Sequence, residues 1–367
     1  MRRFLRYLRS KLAARCGMST RGDAADNDCE SCSGRGCELS LQLVKRYSWA
    51  DIEALTENFA TVIGCGGFST VYLGRLSGGV GPAARLAAVK VHYGSERIHL
   101  AFKQELDILL RLHHENIVGF LGYCDDPESG ALVFEYVSNG NLQEKLHSQH
   151  PALPWRARIR IAFQLAQALE YLHEKCALHV VHGDLKSSNI LLDDALNCQL
   201  CDFGFAKLGF SSMVLPSPRS KHVMMGSPGY VDPQYLRTGV ASKKNDMYSF
   251  GVIVLEMVMG MEAFCTDRGQ VLAAIAAPVL EDLARRTAEE VMEMVDPKLS
   301  GEFDVEEARE MLSIAKLCLN QSPVLRPSAG RVLQIMNEKI SSSVALCRSS
   351  PECLGKTPSN MAIYCPK

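Results

Sequence analysis

The 367-residue chain has no apolar run approaching the roughly 20 residues that a membrane-spanning helix needs. The nearest, VLAAIAAPVL at 271–280, is short and broken by Pro278, so an integral membrane protein is not expected. An excess of charge is lacking too. Lys and Arg number 40 against 41 Asp and Glu, a formal net charge of −1, which gives no global reason to expect nucleic acid as a partner. Dense, regularly spaced cysteines are also absent. The 14 that occur are scattered, unlike a secreted disulfide scaffold, and a reducing cytosol is the simpler expectation. What is present, 47% hydrophobic and 22% charged residues, should bury a core, and the length suits a two-lobed core with tails.

Residues 1–45 form the first tail. MRRFLRYLRSKLAARCGMSTRG carries seven basic residues and no acidic one before Asp23, with Phe4, Leu5, Leu8 and Leu12 spaced to share one helical face. A basic amphipathic helix is expected, although an Arg-rich, acid-free start also suits an organelle transit peptide. A polar, Gly-containing linker follows. Arg2 stands where N-myristoylation needs glycine, and the terminal CPK does not fit prenylation. Cys16 suits palmitoylation, so residues 1–16 with one acyl chain are expected to hold the protein on an anionic membrane surface, peripheral to the cytosolic side of the cell membrane; a cytoplasmic location is the alternative. Cys29, Cys32 and Cys37 fall short of a structural zinc site, because no histidine stands near them. Residues 341–367, rich in Ser, Pro and Cys without a period, are expected to be a disordered tail.

Between the tails, residues 46–340 read as one domain. SWAD at 48–51 fits a Ser-x-x-Asp helix start leading into IEALTENF. TVIG, STVYLGRL and LAAVKVH, within 61–92, are β-branched runs broken by glycines and read as strands. Beyond them the period turns helical: RIRIAFQLAQALEYLHEK places Ile161, Leu165, Ala168 and Leu172 on one stripe. A strand-rich first part and a helix-rich second part predict α+β architecture in two lobes.

Several stretches could carry chemistry. IGCGGFSTVYLG at 63–74 sets Gly64, Gly66 and Gly67 between two strands, where backbone N–H groups could approach phosphate oxygens closely. A plain hairpin turn accounts for the glycines equally well. Lys90 ends the strand LAAVK, and Glu105, in the helical AFKQELDILLRL, could pair with it. HGDLKSSN brings Asp184, Lys186 and Asn189 into one short loop, and CDFG adds Asp202. The Asn oxygen and the Asp202 carboxylate are hard ligands suited to Mg²⁺, while Asp184 is left to accept a proton. Each residue alone could be a turn former or cap. In this order they supply the parts of phosphoryl transfer from ATP.

The set GCGGFSTV, AAVK, HGDLKSSN and DFG resembles the protein-kinase signatures over about residues 50–340. YSWADIEALTENF, GSPGYVDPQY and DMYSFGVIVLEMV resemble the plant receptor-like kinases, and the chain looks like a receptor-like cytoplasmic kinase of the receptor-like/Pelle-type group. The resemblance implies a bilobal kinase fold, a β-rich N-lobe over a helical C-lobe. It implies that Gly64 and Gly66 cover the ATP phosphates, and that Ile63, Cys65, Gly67, Phe68, Val71 and Ala88 belong to the same nucleotide pocket. Lys90 would hold the α- and β-phosphates and Glu105 would orient it. Asp184 would be the base, Lys186 would steady the γ-phosphate, and Asn189 and Asp202 would bind Mg²⁺. Phe134 would guard the back of the adenine pocket, with Glu135 to Val137 as the hinge, and Asp246 would anchor the catalytic loop. Lys186 resembles the serine/threonine rather than the tyrosine kinases. Protein substrates and an upstream receptor-like kinase are the partners implied.

The sequence departs from the pattern in three places. Ser69 replaces the third loop glycine. Gln234 stands where the family carries Glu, and its expected partner is Arg326, so the neutral amide predicts a softer C-lobe that Gln234→Glu would stiffen. Gly183 stands where many kinases carry Arg, which removes the cation that would meet a phosphate on the following segment. Activity is therefore expected to depend less on phosphorylation at Ser211, Ser212, Ser217, Ser220 or Ser227. Ser69 and Gln234 leave open an alternative, a pseudokinase that binds ATP as a scaffold or adaptor. Cys201, beside Asp202, is either an inert buried thiol or a reactive one bordering the pocket.

Overall fold

The computed structural model describes residues 44–66, 69–76, 85–93, 96–126, 129–148, 151–209, 213–214, 226–266, 269–340 and 343–344. The basic segment, Cys16 and the Cys29–Cys32–Cys37 group lie outside them, as do Gly67 and Phe68.

Strand alternation builds the upper lobe. Six strands, β1 (Lys45–Arg46), β2 (Val62–Cys65), β3 (Ser69–Leu76), β4 (Arg85–Tyr93), β5 (Phe120–Asp125) and β6 (Ser129–Glu135), form a sheet in the order β1-β5-β6-β4-β3-β2. All neighbours are antiparallel except β1, which runs parallel to β5. In β4 the period of two sends Ala87, Val89 and Val91 to one face and Ala88 and Lys90 to the other. The first face packs, with Ala131 and Val133, on Ile52 and Leu55 of α1 (Trp49–Leu55). The second face carries Val71 opposite Lys90, and Phe134 opposite Ala88. The lobe thus has a closed back and a functional front.

Helix α1 starts as its sequence requires. Ser48 Oγ accepts from Asp51 N at 3.1 Å and Asp51 Oδ2 accepts from Ser48 N at 2.8 Å, a reciprocal capping box. It ends earlier than expected, at Leu55, because Glu57, Asn58 and Phe59 turn left-handed, with φ of 53°, 56° and 60°. The turn delivers Phe59 to Trp49 (ring centroids 5.6 Å apart) and Tyr72 (5.1 Å), which offsets the backbone strain. Helix α2 (Glu96–Leu109) crosses the front of the sheet, with Phe102 and Ile108 fully buried.

The lower part is helical. α3 (Leu142–His147) and α4 (Trp155–Glu170) lead through a π-helical turn at Tyr171–Lys175 into β7 (His179–Val181). The predicted stripe of Ile161, Leu165, Ala168 and Leu172 is wholly buried. A hairpin of β8 (Ile190–Leu192) and β9 (Cys198–Leu200) follows, and β10 (Lys207–Gly209) pairs antiparallel with β7. Beyond lie α5 (Pro233–Thr238), α6 (Lys243–Met259), α7 (Leu272–Glu281), α8 (Ala288–Met292), α9 (Val305–Cys318) and α10 (Ala329–Lys339). α6 is apolar around most of its girth, as a central helix must be, and its residues Met247 to Val258 are buried. Ser343 and Val344, which the sequence assigns to the tail, are buried as well; Ser343 Oγ donates to Glu307 at 2.6 Å. Among the described residues no helix is long and apolar enough to cross a membrane.

Candidate active site

Lys90 leaves the front of β4 and is gripped from two sides. Its Nζ donates to Glu105 Oε1 and Oε2 on α2 at 2.8 and 3.1 Å, and to Asp202 Oδ1, from the loop after β9, at 2.7 Å. Burial opposes the charge on Lys90, but the two carboxylates outweigh it and hold the ammonium above its ordinary range. Burial likewise opposes charge on Asp202, and the Lys90 ammonium overrides it, holding the carboxyl down at about 2. Asp202 sits at φ 62°, a strained setting for a non-glycine residue. The next side chain, Phe203, is buried edge-on against the His182 ring, centroids 5.0 Å apart. Gln104 Nε2 also donates to Ala206 O at 3.0 Å, tying α2 to the same segment.

The loop between β7 and β8 is held from below by Asp246 on α6. Asp246 accepts from the backbone N–H of His182 at 2.8 Å and of Gly183 at 3.0 Å, and from His173 Nε2 at 2.8 Å. Burial opposes its charge, yet these donors, His173 first, keep the carboxyl below the usual range. Gly183 has φ 82°, and a Cβ there would meet Phe205 O at 2.8 Å, so the position suits glycine. Asp184 Oδ1 accepts from Ser227 N at 3.1 Å and Ser227 Oγ at 2.9 Å. Lys186 Nζ lies 3.1 Å from Asp184 Oδ2 and donates to Ser227 Oγ at 3.0 Å. Asn189 Nδ2 donates to Asp184 O at 2.9 Å, and Asn189 O accepts from Cys201 N at 3.0 Å, one residue before Asp202. Lys90, Asp202, Asn189, Asp184 and Lys186 are thus joined by successive short contacts at one site. A small cleft lined by Asp184, Ser227, Tyr230, Val231 and Tyr235 opens beside them.

Of the other expected residues, Val71 and Ala88 share the front of the sheet with Lys90. Phe134 is buried near the end of β6, where it packs on Phe120 (5.5 Å), and Glu135 ends the strand. Val137 packs at the edge of the core. Glu135 N donates to Gly119 O at 2.8 Å, and its carboxylate pairs with Arg85. Ile63, Gly64 and Cys65 lie on β2, which pairs with β3, and Gly66 N donates to Ser69 O at 2.8 Å, so Ser69 closes this turn.

Sequence reasoning missed Ser227 as the partner of Asp184; the two residues are 43 apart in the chain, and no local pattern links them. One expectation is corrected. Arg326 pairs with Asp232, not with position 234: its Nη1 donates to Oδ2 at 2.6 Å and Nη2 to Oδ1 at 2.9 Å, both side chains buried. Gln234 instead accepts from Arg237 at 2.5 Å on the partly exposed α5. The carboxylate needed for the bidentate pair comes from two residues earlier. Cys201 lies beside Asp202, but burial pushes its thiol up to about 12; the inert alternative is the one this setting favours.

A six-stranded sheet over a helical lobe, with a lysine, a loop aspartate and a second aspartate converging between them, defines a phosphoryl-transfer class of fold. The family model for the protein kinase domain matches residues 58–337. A probable receptor-like protein kinase of Arabidopsis thaliana is 52% identical over 306 residues, covering 80% of this chain and 88% of that protein. The salt tolerance receptor-like cytoplasmic kinase 1 of Oryza sativa subsp. japonica is 51% identical over 304 residues, covering 81% of each. The chain belongs to the protein kinase family, in its plant receptor-like cytoplasmic kinase group. It is also 37% identical over 296 residues to a probable LRR receptor-like serine/threonine-protein kinase of Arabidopsis thaliana, of which it spans 32%.

Proposed function

We propose that the chain is an active serine/threonine protein kinase that transfers the γ-phosphoryl group of ATP, with Mg²⁺, to hydroxyls of protein substrates. The observation that carries this reading is the single bonded assembly from Glu105 and Lys90 through Asp202 and Asn189 to Asp184 and Lys186. Its polarity suits the cofactors. Lys90 is a fixed cation for phosphate oxygens. Asp202 Oδ2 and Asn189 Oδ1 take no bond among the described residues, and both are hard oxygen donors of the kind Mg²⁺ selects. When bound, the ion would supply charge neutralisation on the phosphates.

The geometry around Asp184 and the resemblance to protein kinases together support roles for the protein's own residues. Ser227 Oγ, 2.9 Å from Asp184 and 3.0 Å from Lys186, occupies the kind of contact a substrate hydroxyl would make. In the reaction the substrate O–H proton passes to Asp184 while its oxygen bonds to the γ-phosphorus. The bond from that phosphorus to the β–γ bridging oxygen breaks, and ADP leaves. Lys186 would steady the transferring group. Gly64 and Gly66 would cover the phosphates, Val71, Ala88 and Phe134 would enclose the adenine, and the backbone from Glu135 to Val137 would meet its edge. The scaffold-only alternative loses a support, because Arg326 has its carboxylate in Asp232 and Gln234 no longer marks a failing lobe.

The experiment is incorporation of labelled ATP with Mg²⁺ into the chain itself, wild type against Asp184→Asn. A loss of at least a hundredfold in the variant is expected for a removed general base; phosphoserine and phosphothreonine are the expected products. Equal incorporation by both proteins would sink the enzyme reading. For location and partners the support is sequence alone: residues 1–16 and Cys16 would hold the kinase at the cytosolic face of the plasma membrane, beneath a receptor-like kinase. Co-flotation with vesicles containing phosphatidylserine, lost on deletion of residues 1–16, is the outcome expected; binding that ignores the deletion removes the idea.

A further inference from the structure

The proposed transfer makes no direct use of Glu256, although this carboxylate collects hydrogen bonds from four parts of the chain. It lies within α6, its side chain 1% exposed. His147 Nε2, at the end of α3, lies 3.2 Å from Oε1. Tyr230 OH donates to Oε2 at 2.8 Å, Ser187 Oγ reaches Oε1 at 3.4 Å, and the N–H of Ala263 donates to Oε1 at 3.3 Å. The Ser187 and Tyr230 hydroxyls are also 2.7 Å apart. Burial, then the Glu256 charge, push the Tyr230 phenol far up, so it serves as a neutral donor. Three of the four partners are hydroxyl or backbone donors, and His147 Nε2 is the one ring nitrogen among them, within reach of a carboxylate withdrawn from water.

Two of these partners shape the reacting centre. Ser187 directly follows Lys186. Tyr230 N donates to Ser227 O at 3.1 Å, and Ser227 makes both bonds to Asp184 Oδ1. The path from His147 through Glu256 and Tyr230 to Ser227 and Asp184 is thus hydrogen-bonded at every link. It starts on α3, whose N-cap, Asn141, lies a few residues beyond the proposed hinge.

We propose that His147 is a positioning residue for phosphoryl transfer. Its Nε2 fixes Glu256, and Glu256 fixes Ser187 and Tyr230, which order the cluster of Asp184, Lys186 and Ser227. A histidine that merely fills space would be replaceable by any side chain of similar size; a positioning histidine is replaceable only by another N–H donor.

The rate arm of this inference rests on the kinase reading; the structural arm does not. The full chain is compared as wild type, His147→Leu, which keeps bulk and loses the donor, and His147→Gln, which keeps an N–H donor. Labelled-ATP incorporation gives the maximal rate and the KM for ATP, and hydrogen–deuterium exchange is followed in segment 226–232 and in α9. In His147→Leu the maximal rate should fall roughly tenfold, the loss expected for one hydrogen bond to a charged group, with the ATP KM within twofold. Exchange should quicken in 226–232 and stay unchanged in α9. His147→Gln should recover the rate to within about threefold. Three outcomes overturn the proposal: exchange in 226–232 unchanged in His147→Leu, a glutamine variant as impaired as the leucine one, or quickened exchange in α9 as well, which marks a packing defect. A wild type that transfers no phosphate removes the kinase reading instead, and the exchange comparison still decides the part played by His147.

Discussion

Arg326 illustrates how much one side chain can depend on a partner two positions from where the family pattern puts it. Its guanidinium spends Nη1 and Nη2 on Asp232 and adds bonds from Nε to Asn320 O at 2.8 Å and from Nη1 to Lys244 O at 2.9 Å. Asp232 further accepts from Asn245 Nδ2 at 2.5 Å and from the N–H of Gln234 at 2.9 Å. Both ions are out of water, where an ion pair contributes little over an apolar pair yet removal of one member strands the other, at about 3–5 kcal/mol. Asp232→Asn should therefore lower the melting temperature by several degrees. Gln234→Glu, facing Arg237 on an exposed helix turn, should leave it within about one degree, since such pairs are worth about 0.5 kcal/mol. Thermal unfolding of the two variants checks both. A stabilised glutamate variant beside an indifferent Asp232→Asn would restore the pairing that the sequence suggests.

At the scale of elements, what could be read from the sequence is what neighbouring residues decide. The Ser48–Asp51 capping box, the period of two that turns Lys90 away from Val89 and Val91, and the stripe in α4 are set within one or two turns of chain. So are the glycine turn and the order of Lys90, Glu105, Asp184, Asn189 and Asp202, which made most of the site recognisable. The rest depends on partners far along the chain. α1 stops early because Phe59 is claimed by Trp49 and Tyr72. α7 continues through Pro278, and a π-helical turn follows α4; surrounding packing, not local propensity, tolerates both. His147 and Glu256 are 109 residues apart, and Tyr230 and Glu256 are 26 apart. No spacing rule connects them, so the group that orders Asp184 stayed hidden while Asp184 itself was plain.

For the whole molecule, the two lobes meet through charge as well as through packing. Lys90 belongs to the sheet and Asp202 to the lower lobe, so their 2.7 Å bond is a link across the cleft. A nucleotide held by Lys90, with a metal ion held by Asp202 and Asn189, would add further links of the same kind and would stabilise the fold by mass action. At about one hundred times its dissociation constant such a ligand adds about 2.7 kcal/mol, or about 4 °C in melting temperature for a domain of this size. The increment should need the ion. ATP with EDTA should give a smaller shift than ATP with Mg²⁺, and Asp202→Asn should abolish the difference, whereas Asp184→Asn should keep it. The pH dependence has a definite sign. The Asp202 carboxyl is depressed to about 2, so its contribution is present above the ordinary carboxylate range and is lost only as pH falls through about 2. Without nucleotide, the difference in melting temperature between wild type and Asp202→Asn should accordingly stay level from about pH 8 down to about pH 5. An increment that survives Asp202→Asn would place the metal on other ligands, and a difference between the two proteins that shrinks across that range would remove the hold of Lys90 on the Asp202 carboxyl.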